Sequence, residues 1–321
     1  MQFLSLFILS FLLIGCGQSN TFSSNALTQF KQSTELVAAA DISSDGKYSL
    51  IADPERVCVW NNLTSQLQHG CLVGEEKNYI EIVKISENNA YYLTSNQIVV
   101  RLYHLSNGEK VGEWRLGENI INDIALSKNA DVILLGLRSG KAGIIRPFIN
   151  KVFTFKKHRL DINSVAISHD GITAFTGSSD KTAMLWHTQT GKNSYSLKHK
   201  SRVNHVQISD DGKIGVTIDS INDHNIWNLE TGETLSELDT HLRFFEFNHS
   251  KFSSDNKLLL SGSPKQKLQL WRVSDGALIG QWQAYQESSR ASVLATSLND
   301  QHQAMSMTTG GMLETWDLPP K

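Results

Sequence analysis

The sequence predicts an all-β fold built from seven repeated four-stranded units, and three observations predict it. An aromatic marker recurs at Trp60, Tyr103, Trp186, Trp227, Trp271 and Trp316, with Ile145 in the remaining slot, at successive steps of 43, 42, 41, 41, 44 and 45 residues. A turn pair lies upstream of each marker: Asp45-Gly46, Asn88-Asn89, Asn129-Ala130, Asp170-Gly171, Asp211-Gly212, Asp255-Asn256 and Asn299-Asp300. The second residue of each pair stands 14 to 16 positions before its marker. Short runs precede the turns, such as Asn163-Ser164-Val165-Ala166-Ile167-Ser168, in which apolar residues alternate with small or polar ones as half-buried strands require. Two markers that keep phase seven times along 321 residues identify a repeating structural unit.

Within each unit the order is strand, tight turn, strand, short turn, strand, turn, strand. Gly at the second turn position accepts positive φ at little cost. The aromatic marker ends the third strand, and a second turn follows it, as in Thr188-Gln189-Thr190-Gly191 and Leu229-Glu230-Thr231-Gly232. Four strands at this period form a blade, and the blades close into a seven-bladed β-propeller of four-stranded antiparallel sheets. The last unit stops almost at its Trp. Only Leu318-Pro319-Pro320-Lys321 follows Asp317, and proline cannot pair as a central strand. The orphan run Ala26-Leu27-Thr28-Gln29-Phe30-Lys31 looks like the outer-strand run Lys151-Val152-Phe153-Thr154-Phe155-Lys156. Residues 25–33 are therefore expected to supply the missing outer strand of the last blade, in a propeller spanning 25–318. Left unfilled, that position would expose a sheet edge.

The stretch Thr176-Gly177-Ser178-Ser179-Asp180-Lys181-Thr182-Ala183-Met184-Leu185-Trp186 resembles the second half of a WD40 repeat. The resemblance covers residues 34–318 at repeat level and is closest in the fourth unit; the terminal Trp-Asp pair occurs only as Trp316-Asp317. It implies that His158, Thr176, Asp180 and Trp186 form a buried structural network running from indole to hydroxyl to imidazole to carboxylate. A nucleophilic triad is the competing reading of His, Asp and Thr. That hydroxyl would lie inside a blade with no evident oxyanion hole, so the structural role is expected. In the next units the pattern is partial: His199 and Thr217 stand with Ile221 in the Asp place, and His241 and Ser261 with Lys265. Those blades are expected to be less rigid. The resemblance further implies that partners bind on the face where consecutive blades join.

Phe3 to Ile14 is a run of 12 residues, apolar except for Ser5 and Ser10. A membrane-spanning helix needs about 20 apolar residues, so this run fits the core of a signal peptide instead. Leu13-Ile14-Gly15-Cys16 resembles a bacterial lipobox. That resemblance implies a signal peptide over 1–15, lipidation at Cys16 and a short tether over 16–24. It places the chain in the bacterial cell envelope, lipid-anchored on the periplasmic side. Gly17, where Asp would retain a lipoprotein in the inner membrane, resembles sorting to the outer membrane. The nine residues between Cys16 and Ala26 reach roughly 30 Å at most.

Charged residues make up 19% of the chain and the net charge is −2, so no global field attracts nucleic acid. With Cys16 lipidated, Cys58 and Cys71 remain in an oxidising compartment. A turn around 62–66 would set them across from each other at roughly 4.5–5.5 Å, within the range of a disulfide; two buried free thiols are the alternative. The 11 His show no metal-ligand spacing, and Gly140-Lys141 lacks the rest of a phosphate loop. No metal, cofactor or catalytic residue is expected. Lys157, Arg159, Lys200, Arg202 and Arg243 fall at equivalent joints between blades. They would form an arc that docks an acidic protein segment or an anionic envelope polymer, with a solvated rim as the plain alternative. The function expected is a monomeric, non-catalytic, membrane-anchored protein-interaction scaffold for envelope proteins. The alternatives are an outer-membrane assembly factor, by analogy with other lipoprotein propellers, and a hydrolase or lyase using the channel. The last needs carboxylates or His at the inner strand ends, which the sequence alone does not place.

Overall fold

The repeats fold as seven antiparallel sheets in the computed structural model, which describes residues 21–73, 79–221, 223–240, 246–285, 291–299 and 301–320. The inner strands, Ala39–Ile42, Ile82–Ile85, Ile121–Leu126, Ile162–Ile167, Val203–Ile208, His249–Phe252 and Val293–Leu298, surround a central channel. Helix is confined, among the described residues, to one 3-10 turn at Pro147–Ile149. The ring has two faces. The turn face carries the inner-to-second and third-to-outer turns of each blade. The joint face carries the connections between blades together with the second-to-third turns, tied to one another by bonds such as Ser179 N–H to Asp161 O (3.0 Å) and His199 N–H to Lys181 O (2.9 Å).

A recurrent side-chain device shapes the turn face. In blades one, two, four, five and six a Ser hydroxyl (Ser43, Ser86, Ser168, Ser209, Ser253) donates to the Asp or Asn two residues on at 2.5–2.8 Å. The same oxygen accepts the N–H five residues on. Local bonds of this kind compete with continued strand and close the turn. Positive φ falls on Gly46, Asn89, Ala130, Gly171, Gly212, Asn256 and His302. The last corrects the expected Asn299-Asp300 pair: Asn299 takes the place of the turn's Ser, and His302 is the residue at positive φ, its N–H donating to Asn299 O at 3.1 Å.

Apolar side chains fill the gaps between neighbouring blades, as where Phe175 and Leu185 of blade four meet Val206, Ile208 and Trp227 of blade five. Gly177 and Gly262 in second strands face the next blade's inner strand so closely that a Cβ would stand 2.7 Å from Val203 and 2.4 Å from Val293. The absent side chain lets the blades approach.

Thr28–Lys31 closes the ring as the outer strand of blade seven, antiparallel to Met312–Asp317 with Thr28 opposite Thr315 and Lys31 opposite Met312. Phe30 meets Trp60 of blade one edge-on at 5.4 Å, extending the closure across the seam. The segment ahead of this strand is also fixed. Phe22 N–H donates to Ile279 O (3.1 Å), Gln281 N–H donates to Phe22 O (2.8 Å), and Trp282 Nε1–H donates to Ser24 Oγ (3.2 Å). Residues 22–24 thus lie on the outer strand of blade six, where the third-to-outer turn of other blades lies on its predecessor, as in Tyr195 Oη–H to Glu230 O at 2.7 Å. Part of the expected 16–24 tether therefore belongs to the propeller. Residues 1–15 and Cys16 lie outside the described residues.

Blade one departs from the regular pattern. Its outer position is filled by two short strands, Gln66–Leu67 and Leu72–Val73, both paired with Arg56–Asn61. Cys58 and Cys71 are joined by a disulfide (S–S 2.08 Å, Cα–Cα 4.5 Å) across that pairing.

Candidate functional site: the joint face and the channel

Blade four contains the fullest hydrogen-bond network. Trp186 Nε1–H donates to Thr176 Oγ1 (3.4 Å), Thr176 donates to His158 Nε2 (2.9 Å), and His158 Nδ1–H donates to both oxygens of Asp180 (3.2 Å each). Arg159 N–H adds a bond to Asp180 Oδ2 at 2.9 Å, which ties the joint to the turn. Burial lowers the His158 pKa against the pull of Asp180, so the imidazole is neutral near pH 7. Burial works to raise the Asp180 pKa, but bonds from Thr182 and Arg159 N–H outweigh it and hold the carboxyl below its ordinary value. Every member is satisfied and inward-facing, which makes this a brace rather than a reactive centre.

Blade five keeps only the Trp227 Nε1–H to Thr217 Oγ1 bond (2.7 Å). In blade six Trp271 Nε1–H donates to Ser261 Oγ (2.9 Å), while His241 lies outside the described residues.

The five basic residues expected to form an arc are not equivalent. Lys157 is turned away from the joint face: its ammonium sits between blades three and four, 4.5 Å from the Trp186 ring, and donates to Asn193 Oδ1 at 2.7 Å. Burial lowers its pKa. The cation–π contact and these acceptors explain why the half-buried side chain lies along the blades rather than on the joint face. Lys200 is bound to Asp223 (Nζ to Oδ1 2.8 Å), which raises its pKa. Arg243 lies outside the described residues. Arg159 and Arg202 are exposed on the joint face.

That face also carries Leu36, Tyr79, Ile98, Leu160, Ile221 and Tyr285, each 37–71% exposed. Each sits in a joint or a second-to-third turn, so the topology brings to one surface side chains from six blades. Sequence reasoning did not collect them, since each is a single apolar residue in a polar connection.

The channel wall holds polar and ionisable side chains that were also missed. Asp123, Ser164, His205 and His249 share one register position in blades three to six, and each bonds to the next blade: Val165 N–H to Asp123 (2.8 Å), Val206 N–H to Ser164 Oγ (3.2 Å), His205 to Ser250 (2.8 Å), His249 to Thr296 (2.9 Å). An Asn precedes each, Asn122, Asn163, Asn204 and Asn248, and this periodic Asn is the signal that could have located the belt. Nδ2 of Asn122, Asn163 and Asn248 donates to a carbonyl of the following blade at 2.9–3.0 Å.

At the turn-face mouth, His169 contacts Glu87 and Asp210 (2.9 Å to Asp210), and Lys251 contacts the same two carboxylates. Burial opposes the Glu87 charge, but Lys251 and His169 outweigh it and hold the carboxyl down to about 2. Burial likewise opposes the His169 charge, yet bonds from Asp210 and Glu87 lift it to about 9. Carboxylates and His at inner strand ends are what a channel enzyme would need. Here they neutralise one another, and the cavity they line is about 110 Å³, whereas small-molecule sites run to roughly 300–1,000 Å³.

Residues 149–187 match the family described as WD domain, G-beta repeat. This stretch is the outer strand of blade three and the first three strands of blade four, where the network is complete. No curated protein matches the sequence. One chain of a solved structure described as "Crystal Structure of Mitotic Checkpoint Complex" superposes with a TM-score of 0.76 at 18% identity, covering 98% of this chain and 100% of that one. At that identity the likeness speaks for the fold alone. The chain is a seven-bladed β-propeller in which residues 149–187 match the WD40 repeat.

Proposed function

We propose that this chain is a non-catalytic protein-interaction scaffold of the bacterial cell envelope, held at a membrane through lipidated Cys16 and receiving partners on the joint face. The observation that carries this reading is the gathering of Leu36, Tyr79, Ile98, Leu160, Ile221 and Tyr285 on that face, beside Arg159 and Arg202. Lone exposed apolar residues need no explanation; these six are assigned to partner contact because all fall on the face where the blades join, beside two exposed arginines. The arginines favour an acidic segment in the partner. WD40 propellers are typically scaffolds of this kind, and the internally paired channel charges suit that role.

The anchor complements this arrangement. Phe22 already rests on blade six, so only five residues separate it from Cys16, a reach of roughly 20 Å. Residues 22–24 occupy a turn-face position, so the tether leaves from that side and directs the joint face away from the bilayer.

Photo-crosslinking side chains placed at Leu160 and Ile221, and for comparison at Leu63 and Ile149 on the turn face, test the reading in cells. Expected are discrete protein adducts from the joint-face positions, abolished by joint Arg159→Glu and Arg202→Glu substitutions. Mass spectrometry should find acyl chains on Cys16, and Cys16→Ser should release the chain from the membrane fraction. Adducts of equal yield from both faces would remove the docking assignment, and an unmodified Cys16 would remove the anchor.

A further inference from the structure

Blade five departs from blade four at one residue with a chemical consequence. His199 takes the position of His158 and is 92% buried at 8% exposure, yet neither ring nitrogen has a hydrogen-bond partner. In blade four both nitrogens are used, by Thr176 and Asp180. In blade five Thr217 is taken by Trp227, and Ile221 stands where Asp180 would be. Leaving two buried polar atoms without partners is costly, and such atoms call for a ligand.

Two carboxylates converge on that ring. Asp219 ends the second strand of blade five and is fully buried; Asp223 lies beyond the turn. A nitrogen of His199 and an oxygen from each carboxylate lie within 4.8 Å of one another. We propose that His199, Asp219 and Asp223 form a binding site for a borderline divalent cation of the zinc type on the joint face.

The surroundings suit that role. Asp219 is oriented by three backbone N–H groups, from Ile221 and Asp223 at 2.9 Å and Ser201 at 3.0 Å, the kind of outer shell that fixes metal ligands. Burial keeps the His199 pKa low, so the imidazole presents a lone pair at neutral pH without losing a proton. One nitrogen and two carboxylate oxygens match the ligand preference of zinc, and three protein ligands leave a position for water or a partner's side chain. Bonds of about 2.0–2.2 Å to zinc would draw the three ligand atoms together from the 4.8 Å within which they stand. Two carboxylates balance the charge of the ion. Lys200 is the competitor: its ammonium holds Asp223 Oδ1 at 2.8 Å, but from a side chain 72% exposed, so it can swing into solvent.

The test uses the full chain in detergent, stripped with chelator and titrated with ZnCl2 by calorimetry and with CoCl2 by visible absorption. Expected are one saturable site per chain, cobalt bands of low-symmetry nitrogen and oxygen coordination, and zinc-dependent thermal stabilisation. His199→Gln and Asp223→Asn should each weaken zinc by roughly tenfold or more, whereas Lys200→Met should tighten it several-fold. Asp223 is a partly exposed turn residue, so its variant decides the matter if His199→Gln does not fold. His169→Gln controls for the channel mouth and should leave binding unchanged. Absence of saturable binding, undiminished binding in the folded Asp223→Asn chain, or loss through His169→Gln instead would each overturn the proposal.

Discussion

The Thr176 hydroxyl shows how much one atom can carry in this ring. It accepts from Trp186 and donates to His158, and through His158 it reaches Asp180 and the joint leading into blade four. Thr176→Val keeps shape and removes the oxygen. Both the indole N–H and the imidazole Nε2 are then left without partners, at about 1–3 kcal/mol for each unsatisfied group. Thr217 in blade five serves only Trp227, because His199 does not reach it. Thr217→Val should therefore destabilise the chain by about half as much. Urea unfolding of the two variants measures the difference. Equal losses would mean that the His158 bond contributes nothing, and blade four would lose its special standing.

At the level of strands and turns, the outer edge of blade one is the least regular element and the one with a covalent tie. Two two-residue strands bury little and bond weakly to Arg56–Asn61. The disulfide between Cys58 and Cys71, 13 residues apart, restricts the unfolded chain by about 3 kcal/mol in the loop-entropy account. Reduction should lower the melting temperature and speed amide exchange in residues 66–73 ahead of every other blade; protection there unchanged by reductant would show that backbone pairing alone holds the edge. Regular elements were the most legible in the sequence, because Trp186, Trp227 and Asp170-Gly171 repeat and each acts locally. The closing strand was legible for a different reason: Trp316 is followed by prolines, and an unpaired strand edge had to be met by something. Other features depend on tertiary neighbours. Phe22 carries no turn signal and is placed only by the outer strand of blade six. Lys157 reads as one more rim lysine, and only the Trp186 ring across the gap explains its inward turn. The charges at the channel mouth come one per blade, so no local motif links Glu87 to His169 and Asp210, and within blade five His199 stands 20 and 24 residues ahead of its carboxylates, with no short spacing to flag them.

Across the whole molecule, buried histidines set a pH dependence whose two limbs have different owners. Burial lowers the pKa of His158, His199 and His205, with His205 held down to about 3, and places His249 well below the ordinary value. An unfolded chain takes up protons at these residues near pH 6.5, where the folded chain does not, so their contribution to stability is present above pH 6.5 and is lost as pH falls. His169 works in the opposite sense. Its pKa rises to about 9 beside Asp210 and Glu87, so its contribution is complete below about pH 6.5 and disappears as pH climbs through 9. Glu87, held down to about 2, keeps its side of the mouth cluster charged over that whole span. The melting temperature should therefore peak near neutrality and fall toward both pH 5 and pH 9.5. His169→Gln should flatten the alkaline limb and leave the acid limb in place, because the acid limb belongs to histidines within the blades and along the channel wall. Calorimetric scans of both chains from pH 4.5 to 10 separate the two contributions. An alkaline limb that persists in His169→Gln would mean that the charges closing the channel mouth do not hold the blades together, leaving that task to the apolar contacts between neighbouring blades and the side-chain belt that crosses them.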